Sequence, residues 1–383
     1  MPLVADVHFN ADVADIAATI CEKVRINPGN YVDPARTFKK LDYTDQEYAD
    51  EIKKIDERFV PFLNICKQHH TAVRIGVNHG SLSDRIMSRY GDTPEGMVES
   101  CMEFLRICVR EQFNDVVISI KASNTVVMVR TVRLLVGQME REGMAFPLHL
   151  GVTEAGEGED GRIKSAVGIG ALLCEGIGDT IRVSLSEAPE REIPVARRLV
   201  ELIPECATLR EQAKETIKDD MITLSLHAES WEDLQLKAAM TVGALLIDGL
   251  AHKLHIKADG YSDGQLADLS DSILQAARVK FTKTEYISCP GCGRTLYNLE
   301  DTIRRIKTAI SHHAQTDPRF ATLKIGIMGC VVNGPGEMAD ADYGYVGAGV
   351  GKISLYKGRQ CIEKNIPEAE AVDRLIAFIS STL

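Results

Sequence analysis

Three cysteines and a glutamate in the last quarter of the chain have the side-chain types of a metal site. Cys289 and Cys292 form a CxxC pair in "CPGCGR". Cys330 lies in "MGCVVNGPGE", where Glu337 follows a Gly-Pro-Gly turn. Structural zinc prefers closed sets of cysteine and histidine. Three thiolates and one replaceable carboxylate are better suited to an iron–sulfur cluster, at which a substrate oxygen could displace the carboxylate. The alternatives are zinc, with Cys361 as a fourth thiolate, and no metal.

Basic side chains recur near the carboxyl ends of predicted strands or in the loops that follow them. In parallel α/β folds these strand ends form one mouth, so we expect the cations to converge on an anion with more than one charge. Diphosphate suits them, because arginine binds phosphate oxygens in pairs and lysine adds a point charge. Taken singly, each could be an ordinary salt-bridge partner. The five residues are Arg25, Arg74, Lys121, Lys164 and Arg182.

Other polar residues are predicted at the same mouth. Thr153 and Glu154 end the strand "PLHLGVTE", and Glu154 is either a counter-ion for a cation or a proton donor. His8 and Asn78 end two further strands, where they could donate hydrogen bonds to the same ligand.

The segments between these residues indicate the fold. Short β-branched runs alternate with amphipathic helices, which is typical of a parallel sheet covered on both faces. The fold class is therefore α/β, with a TIM-type (β/α) barrel, although a complete barrel needs eight strands. The six predicted strands are 2–8, 23–28, 72–77, 115–121, 147–152 and 179–185.

An internal repeat offers two more strands. The segments 165–185 and 237–258 share a small-residue helix, a "GALL" core, an acid-Gly turn and an alternating strand. With 221–227 as a preceding strand the count reaches eight, and we hypothesise that the last two strands close the barrel. The alternative is an incomplete barrel with an exposed edge, which is an aggregation hazard.

A polar, glycine-containing stretch at 257–265 separates the barrel region from the rest of the chain. Strands with tight glycine turns are predicted at 323–329, 343–349 and 352–358, with flanking helices at about 296–314 and 367–381. They predict a small C-terminal α+β domain. We therefore divide the chain into barrel strands (1–185), a middle region (186–283) and a metal-binding domain (284–383).

Composition restricts the class of protein. The 383 residues carry a formal net charge of −11, which argues against general nucleic-acid binding. No apolar run is long enough for a membrane span, and the N-terminus lacks the pattern of a signal peptide. Ten cysteines are too few for a disulfide scaffold of this size. We expect a cytoplasmic protein.

The motifs together resemble the 4-hydroxy-3-methylbut-2-enyl diphosphate synthases, iron–sulfur enzymes of the methylerythritol phosphate pathway to isoprenoids. The most specific are "EYISCPGCGRTLYNL" and "MGCVVNGPGEMADADYGYVG", and "VRINPGN", "RIGVNHGSL", "SIKAS" and "PLHLGVTEAGE" add to them. The resemblance implies an oxidoreductase that reductively opens 2-C-methyl-D-erythritol 2,4-cyclodiphosphate at a [4Fe–4S] cluster, with electrons from ferredoxin or flavodoxin.

The resemblance also implies roles for individual residues. Cys289, Cys292, Cys330 and Glu337 would be the cluster ligands, and Glu154 would be the acid near the leaving hydroxyl. The cyclic diphosphate would be held by Arg25, Arg74, Asn78, Lys121, Arg182 and Ser184, with His8 and Thr153 beside them.

The ending "GEMADADYGYVG" is similar to the longer, three-domain branch of the family. Compared with members of that branch, this chain is expected to begin at the third barrel strand. The region 186–283 is expected to be a remnant of an inserted barrel-like domain. A homodimer is one expected arrangement, because shorter family members take the cluster from a partner subunit. The alternative functions are a catalytically impaired fragment that binds a metal cluster and phosphorylated ligands without turnover, and an aldolase or lyase with Lys121 as a Schiff base.

Overall fold

The computed structural model describes residues 1–34, 40–332 and 334–383. The chain forms two compact units, which are treated separately below. The first contains Met1–Ala122, Val127–Leu150 and Gly178–Thr180, and the second contains Ser123–Val126, Gly151–Ile177 and Ile181–Leu383. The boundaries at 185 and 283 that the sequence suggests divide the chain differently, and they stay predictions.

A six-stranded sheet contains all six strands predicted for the barrel. Its strands lie in chain order, and β1 to β4 pair in parallel. The last strand is shorter than predicted and ends before Arg182. The strands are β1 (Val4–Asp6), β2 (Lys23–Ile26), β3 (Ala72–Asn78), β4 (Val116–Ala122), β5 (Leu148–Val152) and β6 (Thr180–Ile181).

The hypothesis that two further strands close this sheet is wrong. In the described part of the chain, β7 (Met221–Ser225) and β8 (Lys253–Lys257) pair in parallel with each other as a separate two-stranded sheet. Buried and more exposed residues alternate along both strands, so each has one covered face. Strands inside a complete (β/α) barrel are buried on both faces, and these two are not.

Helices follow most strands of the first half. The longest begins at a capping box, in which Thr44 and Glu47 satisfy each other's backbone N–H groups. Its buried face presents Phe59 and Phe62, whose rings pack with Tyr31 and Phe104. The helices are α1 (Ala11–Ala18), α2 (Pro28–Tyr31), α3 (Asp45–His69), α4 (Asp84–Tyr90), α5 (Pro94–Arg110) and α6 (Thr125–Arg141).

The predicted repeat forms a pair of packed helices in the second unit. Both repeat helices, α7 (Gly158–Leu173) and α10 (Trp231–Ile247), are buried on almost every side. A Cβ on Gly243 would lie 2.8 Å from the carbonyl oxygen of Val167, so glycine permits the close approach of the two helices. The other helices of this region are α8 (Glu192–Glu201), α9 (Ile203–Glu215) and α11 (Asp263–Ala276).

The predicted C-terminal α+β domain is a five-stranded sheet in the order β13-β12-β11-β10-β9. The strands β9, β10 and β11 are parallel, and β12 and β13 add antiparallel. Apolar residues of α12 and α14 form its core with the strands. These elements are β9 (Glu285–Ser288), α12 (Leu299–Ala314), β10 (Lys324–Met328), α13 (Gly334–Glu337), β11 (Tyr343–Gly349), β12 (Lys352–Lys357), β13 (Gln360–Pro367) and α14 (Glu368–Thr382). None of the helices within the described residues is long and apolar enough to cross a membrane.

Candidate functional site

The two cysteine motifs meet because they follow neighbouring parallel strands. Cys289 comes directly after β9, and Cys330 follows β10 by two residues. The two strands pair in parallel, with Ser288 opposite Ile327, and the Cys289 N–H donates to the carbonyl oxygen of Ile327 at 3.2 Å. Carboxyl ends of adjacent parallel strands lie at one edge of a sheet, and ligands commonly bind there. This topology brings Cys289 and Cys330, which are 41 residues apart in sequence, to the same edge of the sheet.

Backbone amides donate hydrogen bonds to two of the sulfurs. The Gly329 N–H lies 3.2 Å from Cys289 Sγ, and the Arg294 N–H lies 3.4 Å from Cys292 Sγ. Such hydrogen bonds stabilise a thiolate and tune the potential of an iron–sulfur cluster. Soft sulfurs that accept hydrogen bonds from backbone N–H groups are the type of donor that an iron–sulfur cluster requires.

Burial makes the Cys289 thiol a weaker acid than a free cysteine. Burial raises its pKa to about 11, the nearby charges of Glu154 and Cys330 add to this, and the Gly329 and Gly291 N–H groups oppose it. Metal binding must therefore displace a proton from this sulfur, which makes loading of the site pH-dependent.

Glu337 is buried at the end of α13 with 6% of its surface exposed, and its role as the fourth ligand stays a prediction. Within the described ranges, no three His, Cys, Asp or Glu side chains are grouped so that they could hold a metal ion.

Sequence reasoning missed an aromatic residue beside the thiols. Tyr297 donates a hydrogen bond from its hydroxyl to the Met328 carbonyl oxygen at 3.0 Å, and its ring packs edge-on against Tyr345. Burial raises its pKa far above the usual range for tyrosine, and the charges of Cys289 and other neighbours add to the effect. Its position in "CGRTLYN", five residues after Cys292, is the signal that could have identified it.

Glu154 lies close enough to Cys289 to affect its pKa, although 135 positions separate them in the numbering of the chain. The residue after Glu154, Ala155, forms a parallel bridge with Ser288, the residue before Cys289. Glu154 and Thr153 are both buried, and Glu154 has a φ of 49°, a left-handed conformation that few non-glycine residues adopt. Backbone outliers of this kind often accompany a functional site. The structure thus places the predicted acid near Cys289, one of the predicted metal ligands.

A separate group of predicted residues meets in the first unit. An Arg25 nitrogen lies 2.7 Å from His8 Nε2, and the guanidinium also donates to the Gly76 carbonyl oxygen at 2.8 Å and to Asn78 Oδ1 at 3.3 Å. Its counter-ion is Asp6, at 2.9 Å. Burial raises the pKa of the Asp6 carboxyl, but His8 and Arg25 outweigh burial and hold the pKa well below its ordinary value. Sequence reasoning missed Asp6, which lies two residues before His8.

The register of the sheet places two further cations on the face that carries Arg25. Arg74 of β3 is opposite Arg25 of β2, and Lys121 of β4 is opposite Asn78 of β3. Residues paired in a parallel register, and residues four apart on one strand, point to the same face of a sheet. Arg25, Arg74 and Lys121 therefore share a face. The prediction that Arg74 lies at the carboxyl end of its strand is wrong, because Arg74 is the third residue of β3 and lies four residues before Asn78.

Gly76 determines where the Arg25 side chain can lie. A Cβ at Gly76 would be 2.3 Å from Arg25 Nε, which is closer than any real contact. We expect Gly76→Ala to displace the guanidinium and to weaken binding of inorganic diphosphate, measured by calorimetry, by about 10- to 100-fold, the value of one or two charge-assisted hydrogen bonds.

The matched control for that variant is Gly137→Ala in α6. A Cβ there would meet only Arg141, at 3.9 Å, so we expect its diphosphate affinity to match the parent protein. Unchanged affinity in Gly76→Ala as well would show that Arg25 does not bind the anion.

Three predicted anion ligands lie in the second unit. Lys164 is on α7 rather than in a loop, and its Nζ lies 2.8 Å from the buried carboxylate of Glu285, which argues against a role in anion binding. Burial lowers the pKa of the Lys164 ammonium, against the opposing charge of Glu285. Arg182 is half-exposed beside Glu192, with 3.5 Å between Nε and Oε2, and Ser184 is buried.

Comparison with known proteins assigns the family. The model of the GcpE TIM-barrel domain matches residues 1–197, and that of the GcpE protein C-terminal domain matches residues 285–381. Curated relatives named 4-hydroxy-3-methylbut-2-en-1-yl diphosphate synthase (flavodoxin) are similar over nearly the whole chain. The Bacteroides thetaiotaomicron protein is 52% identical, over 99% of this chain and 85% of its own length. The Phocaeicola vulgatus protein is 50% identical over the same shares, and that of Akkermansia muciniphila is 39% identical over 99% of this chain and 83% of its own.

The alignment with the Bacteroides thetaiotaomicron protein also has a length difference. It runs over 527 residues, whereas this chain has 383, so more than a hundred aligned positions have no counterpart here. Identity of this level across both matched domains nevertheless leaves the family in no doubt. The chain belongs to the GcpE family of 4-hydroxy-3-methylbut-2-en-1-yl diphosphate synthases.

Proposed function

We propose that the chain catalyses the reductive ring opening and dehydroxylation of 2-C-methyl-D-erythritol 2,4-cyclodiphosphate to 4-hydroxy-3-methylbut-2-enyl diphosphate in isoprenoid biosynthesis. One observation carries the proposal: Cys289 and Cys330 follow adjacent parallel strands. Glu154, which lies within electrostatic reach of Cys289, adds to it. The names of the relatives support the same reaction.

The thiols of Cys289, Cys292 and Cys330, with the Glu337 carboxylate, would hold a [4Fe–4S] cluster. The N–H groups that donate to Cys289 and Cys292 support this assignment, because they would stabilise charge on cluster-bound sulfur. When bound, the cluster supplies the two electrons of the reaction one at a time.

The reaction consumes two electrons and one proton. In the substrate the diphosphate bridges the oxygens on C2 and C4. The C2–O bond breaks to free a phosphate oxyanion, the C3 hydroxyl leaves as water, and C2 and C3 become doubly bonded. We assign the proton that the leaving hydroxyl takes up to Glu154, and the burial of Glu154 near Cys289 supports this role.

The cationic face of the first unit would hold the diphosphate. Arg25, Arg74 and Lys121 share that face, and Asn78 and His8 contact the Arg25 guanidinium. Arg182 and Ser184, which the family resemblance also assigns to the diphosphate, stay predictions from the sequence. The new negative charge that forms on the diphosphate during ring opening would be stabilised by these cations.

Flavodoxin or ferredoxin is the proposed electron donor, and flavodoxin is named for the relatives. Cys292 and Arg294 are exposed, and Val331 beside Cys330 is 46% exposed, so this side of the thiol group is accessible to a carrier. A cytoplasmic location and a homodimer remain proposals from the sequence.

The test combines metal analysis with turnover. The protein would be purified without oxygen, its iron and sulfide counted, and the cyclic diphosphate supplied with a chemical reductant while the product is followed by mass spectrometry. We expect about four irons per chain, the composition of a [4Fe–4S] cluster, and formation of the linear diphosphate.

Two results would contradict the proposal. A colourless protein with one zinc would exclude the cluster. An intact cluster without turnover, under conditions in which a relative is active, would instead support the alternative of a ligand-binding protein that has lost catalysis.

A further inference from the structure

Three ion pairs join the start of α7 to the segment that carries β9 and α12. The α7 side contributes residues spaced along one helical face, so all three pairs lie on the same side of the helix. The segment between β5 and α7 contains Glu154, and the segment after β9 begins with Cys289. The pairs are Glu157 with Lys307 at 2.9 Å, Asp160 with Lys283 at 2.5 Å and Lys164 with Glu285 at 2.8 Å.

The third pair differs from the other two because it is buried and has another member. The Glu285 carboxylate accepts hydrogen bonds from Lys164 Nζ through one oxygen and from Arg278 Nη1 through the other. The side chains of all three residues are only 7 to 11% exposed. Burial raises the pKa of Glu285, but the two cations outweigh it and hold the pKa at about 2. The carboxylate is therefore charged throughout the physiological range, and we call this group the Glu285 clamp.

Backbone contacts show what the clamp holds together. Ala155 bridges to Ser288, and the Ser186 N–H donates to the Gly156 carbonyl oxygen at 2.9 Å. The Ser186 hydroxyl lies 2.7 Å from the Ser288 hydroxyl and 3.0 Å from its carbonyl oxygen. Since Glu154 precedes Ala155 and Cys289 follows Ser288, the register of this bridge determines how the acid lies relative to the thiol.

We propose that the Glu285 clamp is a positioning device that fixes the register of residues 153–156 against β9, and with it the placement of Glu154 beside Cys289. Lys164, Glu285 and Arg278 are then positioning residues for proton transfer, which rests on the function proposed above. Lys164 pulls α7 toward the start of β9, and the bridge at Ala155 transmits that constraint to Glu154. A displacement of about 1 Å in such a group can lower a rate by about 100-fold.

The primary variant is Glu285→Gln in the cluster-loaded protein. Glutamine keeps the size of the side chain but leaves two buried cations without a counter-charge. We expect kcat with a chemical reductant to fall by about 10- to 100-fold, with KM within about threefold and with unchanged iron content. Hydrogen–deuterium exchange should become faster at residues 153–158 and at the Ser186 amide.

The conservative variant Glu285→Asp keeps the charge on a shorter side chain. We expect its kcat and its exchange rates to lie between those of the parent protein and Glu285→Gln. This variant also provides the comparison if Glu285→Gln does not fold, because an Asp variant identical to the parent in both measurements would overturn the proposal.

Asp233→Asn is the matched control. Asp233 is also a buried carboxylate between an arginine and a lysine, with Arg198 at 2.6 Å and Lys237 at 3.7 Å. We expect this variant to lose thermal stability but to keep the parent kcat and the parent exchange rates at 153–158. Equal losses of kcat in Asp233→Asn and Glu285→Gln, or unchanged exchange in Glu285→Gln, would overturn the clamp. Exchange needs no turnover, so the clamp can be tested even if the proposed reaction fails.

Discussion

Cys330→Ser is expected to abolish turnover and to leave the protein with an incomplete iron–sulfur centre. Cys330 follows β10, next to the strand that delivers Cys289, so it supplies the third soft donor at the edge of the sheet. A serine hydroxyl is a hard donor with a much higher pKa than a thiol, and it replaces a cluster thiolate poorly. The measurements are iron and sulfide per chain, the visible absorption spectrum and product formation.

Cys361→Ser is the control for this substitution. Cys361 is a half-buried cysteine in β13 whose sulfur donates to the Glu363 carbonyl oxygen at 3.8 Å. We expect this variant to keep its iron, its spectrum and its activity. If Cys361→Ser lost iron as completely as Cys330→Ser, a four-cysteine site would replace the proposed ligand set. Full iron and parent turnover in Cys330→Ser would remove Cys330 from the centre.

Glu154→Gln is expected to lower kcat by about 10²- to 10⁴-fold, the usual contribution of a general acid. Glutamine has nearly the shape of glutamate and can keep its hydrogen bonds, but it cannot release a proton to the leaving hydroxyl. Iron content should not change, because Glu154 is not among the proposed ligands. The decisive comparison is kcat per intact cluster, measured with a chemical reductant so that binding of an electron carrier does not contribute.

Glu159→Gln, five residues further along, is the control for Glu154. Glu159 accepts a hydrogen bond from the Trp231 indole near the surface, at 2.9 Å, and we expect its loss to change kcat by less than about twofold. Parent-level turnover in Glu154→Gln with a full cluster would assign proton donation to another group or to water.

The sequence predicted the strands of the fold better than their pairing. All six barrel strands and the repeat strands lie where β-branched runs predict them. The hypothesis that β7 and β8 close the barrel was wrong because the residue pattern of a strand does not determine which other strand it pairs with. The segment "KLHIK" of β8 argues against a barrel strand, because polar and apolar residues alternate along it. This alternation indicates a strand with one exposed face.

The candidate site was predictable where one short motif carries the chemistry. Cys289, Cys292 and Glu154 could be selected from residue type and local spacing. The partners of the cations could not, because they depend on contacts between distant segments. Lys164 was assigned to anion binding since nothing near it in sequence shows that its counter-ion is Glu285, 121 residues away. Gly76 was missed for the same reason, because it matters only through Arg25, 51 residues away.

The mutual burial of α7 and α10 limits which segments of this protein can be deleted during evolution. Each helix is buried on nearly every side, and each covers apolar residues of the other. Length variants that lose residues elsewhere can remain folded, but a deletion that removed α10 would leave α7 exposed to water along its apolar face. Because α7 also carries Lys164, such a loss would reach the proposed chemistry through the scaffold, and genomic length variation in this family should spare this helix pair.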